Sequence, residues 1–175
     1  MRTRARSRSG SISIAGEAME TKDRIAKITL DEHTVVRRNS DIEHERAVAI
    51  ADLLVENSFA PKSAIAGPFH LHLGVAENRL LLDIRDVADQ PLEQVVLPLS
   101  PFRKIVKDYF MICGSYYNAV REASPSRIEA IDMGRRALHN EGGEKLRERL
   151  ADRIEVDLNT ARRLFTLLCV LHIRG

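Results

Sequence analysis

The sequence predicts an α+β domain: an antiparallel sheet of about four strands with helices packed on one face. Three observations predict it. Between Phe69 and Leu99, three successive segments alternate apolar and polar residues, the period of half-buried strands. From Ser100 onward, apolar residues recur at three- and four-residue steps, the period of helices. The two kinds of stretch are segregated along the chain, the order expected of α+β rather than alternating α/β architecture. With 175 residues, the chain has enough interior for one domain with a full core.

Residues 1–22 are rich in Arg and Ser and lack apolar periodicity. They are expected to be a disordered or mis-assigned extension, with translation from Met19, ahead of a single domain over 23–175. No apolar h-region follows the arginines, so this is not a secretory signal. Its composition also suits an organellar transit peptide or a basic arm that touches nucleic acid.

Arg24–Leu30 alternates and reads as a first strand. Asn39-Ser40-Asp41 offers cap chemistry for a helix to about Asn57, with Ile42, Ala47, Ile50, Ala51, Leu54 and Val55 inward. Ser58–Pro68, with two prolines and Gly67, is a loop. Strands over Phe69–Val75, Arg79–Arg85 and Leu92–Leu99 follow, the first two joined by a turn at Ala76-Glu77-Asn78.

Ser100-Pro101 then starts a helix to about Ala123, since serine caps and proline suits the first turn. It holds all three tyrosines and two of the five phenylalanines, so it is expected to be the element around which the rest packs. Ser124-Pro125 starts a second helix to about Asn140, which Gly142-Gly143 should break. A short charged helix over Glu144–Arg153 and a brief extended piece at Ile154–Val156 come next. Asp157 caps a last, largely buried helix to Ile173.

Charge and length exclude some functions. The net +2 is an average: residues 1–19 carry +3, while the remaining 156 carry 23 basic and 24 acidic side chains. The domain therefore has no global field for nucleic acid. No apolar run reaches the roughly 18–20 residues of a membrane span. Cys113 and Cys169 lie on apolar helical patterns and read as buried thiols of a reducing cytoplasm.

Four groups of residues can carry chemistry. His70 and His72, two apart on a strand, point to one side and supply half a metal site. Asp83 of the next strand is a candidate third ligand, although solvent-facing histidines are the ordinary reading. Asp41, Glu43, His44 and Glu45 can bind a cation, but the helix dipole favours carboxylates in a first turn anyway. Glu129, Asp132, Arg136 and His139 form a polar stripe on one helix, either an acid/base and anion-binding set or ion pairs on a wet face. Gly134, costly inside a helix, marks a close approach there. An anion site is the fourth candidate: Ser100, Arg103 and Lys107 at a helix start, joined by Arg135, Arg136 and His139, with Arg162 and Arg163 adding charge if their helices converge. No phosphate loop of recognised spacing, Gly-x-Ser-x-Gly, Cys-x-x-Cys or His-Glu-x-x-His motif is present.

The segments SDIEHERAVAIADLLVEN (40–57), LSPFRKIVKDYFMICGSYY (99–117), IEAIDMGRRALHNEG (128–142) and TARRLFTLLCVLHIRG (160–175) resemble uncharacterised protein family 0262 of alphaproteobacteria. The resemblance spans about Arg24 to Gly175 and implies a bacterial cytoplasmic protein. It implies no activity, ligand or catalytic residue.

These readings favour a binding or regulatory module without catalysis of its own, for a protein partner or a small anionic ligand. An enzyme dependent on a metal or a phosphorylated substrate is the alternative, with His44, His70, His72 and His139 as ligands or bases and Arg103, Lys107, Arg135 and Arg136 as anion binders. Nucleic-acid binding through arginine pairs is a third reading, which the domain's charge opposes. The sequence names no cofactor.

Overall fold

The computed structural model describes residues 22–32 and 40–172. The N-terminal extension up to residue 21, the expected cap residue Asn39 and Ile173 lie outside them. Strand β1 (Ile25–Leu30) leads through helix α1 (Ser40–Val55) and short strand β2 (Phe59–Pro61) into a meander of β3 (Phe69–Ala76), β4 (Arg79–Arg85) and β5 (Pro91–Pro98). Then come α2 (Arg103–Glu122), α3 (Pro125–Leu150), β6 (Ile154–Val156) and α4 (Leu158–His172). The main sheet has the order β1-β3-β4-β5, and β2 pairs with β6 in a small second sheet. The α+β reading holds.

Alternation decides which face of the sheet meets the helices. Phe69, Leu71, Leu73, Leu80, Leu82, Ile84, Val95 and Leu97 are buried against them. The residues between, including His70, His72, Asp83 and Arg85, lie on the other face. Glu77 and Asn78 both have positive φ, the backbone of a two-residue hairpin turn, and join β3 to β4 where the sequence places a turn. The strand pairs β3–β4 and β4–β5 are antiparallel as expected, but β1 runs parallel to β3. A parallel neighbour needs a crossover, and α1 provides it.

The other departures each have a local cause. Helix α1 fully buries Ala49 and Leu53, in line with half-buried Glu45; of the set expected inward, Ile50 packs against the core and Ile42 and Leu54 are half-buried, whereas Ala47, Ala51 and Val55 are exposed. It ends at Val55, short of Asn57. That side chain turns back, accepting from the Ile25 amide at 2.7 Å and donating to the Ile25 and Leu53 carbonyls. Strand β2 falls in the expected loop because three residues show no period; its Phe59 is fully buried, edge-on to Phe69. Ser100 caps nothing: it sits inside a single 3₁₀ turn over Ser100–Phe102, and its hydroxyl accepts from Asn78 Nδ2 at 3.2 Å. Ser124 does cap α3, accepting from the Arg127 amide, and Asp157 caps α4 through the Thr160 amide.

The centre of the fold is α4, not α2. Ten of its fifteen residues are buried, from Thr160 to Leu171. Helix α2 reaches the core with Ile105, Val106, Tyr109 and Cys113; farther along, only Ala119 is buried, and Met111 and Val120 are exposed. Aromatic content misled because Tyr116 and Tyr117 stay half-buried, the first against the Arg135 guanidinium and the second hydrogen-bonded to Glu45, instead of entering the core.

Gly142-Gly143 does not break α3, which runs on for 26 residues. A Cβ on Gly142 would overlap the Phe165 ring, and one on Gly143 would lie 2.5 Å from Arg162 Cγ and 3.0 Å from its Cα. The two glycines let α3 and α4 approach closely, and the contact with α4 offsets their poor helix propensity. Gly134 similarly abuts Ile112 of α2, whose Cδ1 would be 2.7 Å from an added Cβ. The close approach expected there is a neighbouring helix.

Candidate functional site

The inward stripe of α1 ends in a carboxylate, Glu45, one turn before Ala49. A half-buried carboxylate requires donors, and three reach it. Tyr117 O–H donates to Oε1 at 2.7 Å, Tyr109 O–H to Oε2 at 3.1 Å, and Arg135 to Oε1 at 3.0 Å. Arg135 also donates twice to Asp132 one turn back, at 3.0 and 3.1 Å, and its guanidinium lies 4.6 Å from the centre of the Tyr116 ring. Burial works against its charge, but the Asp132 hydrogen bonds and Glu45 outweigh it and hold its pKa up. Tyrosines of α2, the carboxylate of α1 and the arginine of α3 thus form one knot.

Beside this knot α1, α3 and α4 leave a cavity of 220 Å³. Glu45, Val48 and Ala49 form its α1 wall, Arg135, Arg136 and His139 come from α3, and Arg162, Arg163 and Thr166 come from α4. His139 stacks on Tyr109 (5.8 Å between centres, 22° between planes), and its Nε2 lies 2.7 Å from Thr166 Oγ1. The Thr166 hydroxyl donates to the Arg162 carbonyl at 3.3 Å, so it accepts from an Nε2–H. Burial first, then the Arg162 and Arg163 charges, lower the His139 pKa to about 4, so the ring is neutral at pH 7. Burial pushes the Cys113 thiol up to about 12, and burial with Glu45 also raises Tyr109 and Tyr117.

The four arginines differ in how they are held. Arg135 is locked by Glu45 and Asp132. Arg136 reaches Asp132 at 3.1 Å from an exposed position, and Arg163 reaches Asp52 at a loose 3.5 Å. Arg162 meets no carboxylate among the described residues. It donates to Asn140 Oδ1 at 3.0 Å, and its Nε is buried without a hydrogen bond.

Comparison with known proteins decides the family. The model of the Uncharacterised protein family (UPF0262) matches residues 22–174. The chain belongs to UPF0262. It is 62% identical over 160 residues to the UPF0262 protein of Rhodospirillum rubrum, covering 91% of this chain and 98% of that one. The UPF0262 protein of Paramagnetospirillum magneticum is 58% identical over 157 residues, covering 90% of this chain and all of the relative. The corresponding figures for Rhodopseudomonas palustris strain BisA53 are 57%, 156 residues, 89% and 96%. No solved structure matches.

In this UPF0262 chain the residues singled out from sequence separate into three places. Arg135, Arg136 and His139 meet in the cleft, where Arg162 and Arg163 converge on them. Ser100, Arg103 and Lys107 do not join them. Ser100 is tied to the β3–β4 turn, and Arg103 precedes Tyr109 by six residues, about 9 Å along α2.

His70, His72 and Asp83 share the open sheet face, with His72 opposite Asp83. Arg85 holds Asp83 at 2.8 Å, and the carboxylate at the imidazoles is Asp89, 2.9 Å from His72 Nε2 and 3.8 Å from His70 Nδ1. Among the described residues no group of three or more His, Cys, Asp or Glu is placed to hold a metal ion.

In the acidic first turn, Asp41 faces Arg121 at 3.5 Å. Glu129 is exposed, while Asp132 serves Arg135 and Arg136. Sequence reasoning gave Glu45 to the helix dipole; its place four residues before Ala49 and eight before Leu53 was the available signal.

Proposed function

We propose that this UPF0262 protein is a binding module whose ligand is a small anion, held in the cleft between α1, α3 and α4. The observation that carries the proposal is Arg162, a cation in the cleft wall with no carboxylate partner among the described residues and with a buried, unbonded Nε. An uncompensated guanidinium in a cavity attracts an anion, and its fork suits carboxylate or phosphate oxygens.

The occupied state of the other groups supports binding rather than catalysis. Glu45 already accepts three hydrogen bonds, His139 is engaged by Thr166, and Cys113 is a thiol at neutral pH. None is poised as a free base or nucleophile. Both cysteines are free and buried, as suits a reducing cytoplasm. No helix among the described residues is long and apolar enough to cross a membrane.

Thermal denaturation with sulfate, inorganic phosphate and acetate tests the proposal. At ten times its dissociation constant a bound anion adds about 1.4 kcal/mol, roughly 3–6 °C for a chain of this size. Arg162→Gln is expected to remove the shift. No shift with any of the three, or one that survives Arg162→Gln, refutes the reading.

A further inference from the structure

The cleft is chemically two-sided, and a bare anion would use only one side. Its α3 and α4 walls carry guanidiniums, but its α1 wall carries Val48 and Ala49, and Val48 is 42% exposed. The 220 Å³ volume lies below the roughly 300–1,000 Å³ of sites for drug-sized ligands. It is also several times the roughly 30 Å³ share of one water. A tetrahedral oxyanion leaves most of it, and all of the apolar wall, unused.

The arginines set the head group. Arg135 is locked in the knot with Glu45 and Asp132 and is not available. Arg162 has no carboxylate partner among the described residues. Arg136 and Arg163 sit in ion pairs with one exposed partner each, the kind of pair that contributes little and is readily exchanged. Three guanidiniums are therefore free or easily freed, from two helices. A phosphate monoester offers three terminal oxygens and nearly two charges at pH 7, whereas a carboxylate offers two oxygens and one charge.

We infer that the ligand is a small phosphate monoester, with its phosphoryl group held by Arg136, Arg162 and Arg163 and a short uncharged body lying on Val48 and Ala49. This rests on the anion-site reading and specifies it. The neutral His139 fits the same ligand, since three guanidiniums balance a dianion without a fourth cation.

The experiment is a calorimetric titration of the full chain at pH 7.5 with inorganic phosphate, methyl, ethyl, propyl and butyl phosphate, and butyrate. Affinity is expected to rise along the alkyl series by at most about fourfold per methylene, with butyl phosphate at least tenfold tighter than inorganic phosphate. Butyrate should bind at least tenfold more weakly than butyl phosphate. Val48→Asn should flatten the series and leave inorganic phosphate unchanged, while Arg162→Gln should weaken every phosphate tenfold or more. Equal affinities along the series overturn the assigned body, and butyrate binding as tightly as butyl phosphate overturns the head group; in both cases the anion site survives. Failure of every probe overturns the anion site and this inference with it. Circular dichroism melts of both variants establish that they fold.

Discussion

Replacing Gly142 with alanine has opposite expected signs under two physical accounts. If Gly142 only weakens α3, alanine stabilises by about 1 kcal/mol, the usual difference in helix propensity. The structure gives the other sign. An alanine Cβ would overlap three atoms of the Phe165 ring, which is 0% exposed and belongs to the most buried helix. The ring has no solvent to move into, and overpacking of this kind costs about 1–3 kcal/mol or more. With three ring atoms overlapped, the cost falls at the upper end of that range, and less the gain of about 1 kcal/mol in propensity it leaves a net loss of about 1–2 kcal/mol, a fall in Tm of roughly 2–8 °C. Three further glycines calibrate it. Gly114→Ala meets nothing within 4 Å and should gain about 1 kcal/mol. Gly134→Ala meets only the mobile tip of Ile112 and should be near neutral. Gly143→Ala meets Arg162 backbone and should lose stability as Gly142→Ala does. Urea unfolding of the four variants measures each difference. A Gly142→Ala protein as stable as the parent, beside a stabilised Gly114→Ala, would refute the close-packing account.

Three more expectations follow from the cleft and the sheet edge. The folded His139 pKa of about 4 lies below its ordinary 6.5, so between those values the unfolded chain binds a proton that the folded chain does not. Stability is then full above pH 6.5 and falls as pH drops toward 4, by up to about 2 kcal/mol between pH 7 and 5. Urea titrations should show His139→Gln flattening most of that slope and His172, also lowered by burial, leaving a remainder; an unchanged slope would exclude His139 as its source. Glu45→Gln removes the negative group of the cleft lining. It should tighten phosphate binding up to about tenfold, the Coulomb term between its charge and the nearly two charges of a phosphate on the order of 6 Å away in water, while three weakened hydrogen bonds cost about 1–2 kcal/mol; weaker phosphate binding by a folded variant would contradict the assignment. Asn57→Ala strips the clasp from the β1 edge and should cost about 2 kcal/mol for three lost bonds near buried backbone. Hydrogen exchange should then rise first at Ile25, and unchanged protection there would show the clasp to be redundant.

The fold was legible wherever one period dominated a segment. Strands β3, β4 and β5 each alternate cleanly because one face is buried and the other is not, and their turn at Glu77-Asn78 follows from their length. Helix α4 was legible because it is apolar nearly all round. What escaped was set by partners distant in sequence. A glycine pair has the same local meaning whether it ends a helix or admits another; only Phe165 and Arg162, some twenty residues later, make Gly142 and Gly143 packing residues. Asn57 reads as a helix end, and its hydrogen bonds to Ile25 depend on a strand thirty-two residues earlier. The cleft divided along the same line. Arg135, Arg136 and His139 share one helix, so their spacing brought them together. Glu45 joins them from ninety residues away, against its local role as a first-turn carboxylate. The one hint was geometric: Glu45, Ala49 and Leu53 lie on one ladder of four-residue steps, so a helix that buries Ala49 and Leu53 turns Glu45 inward too. A carboxylate at the end of an apolar ladder asks for donors, and Tyr109, Tyr117 and Arg135 are the donors this chain supplies. With Glu45 satisfied and Arg135 spent on it, the positive charge left in the cleft is that of Arg136, Arg162 and Arg163, and among the described residues that line it an anion meets one carboxylate, Glu45.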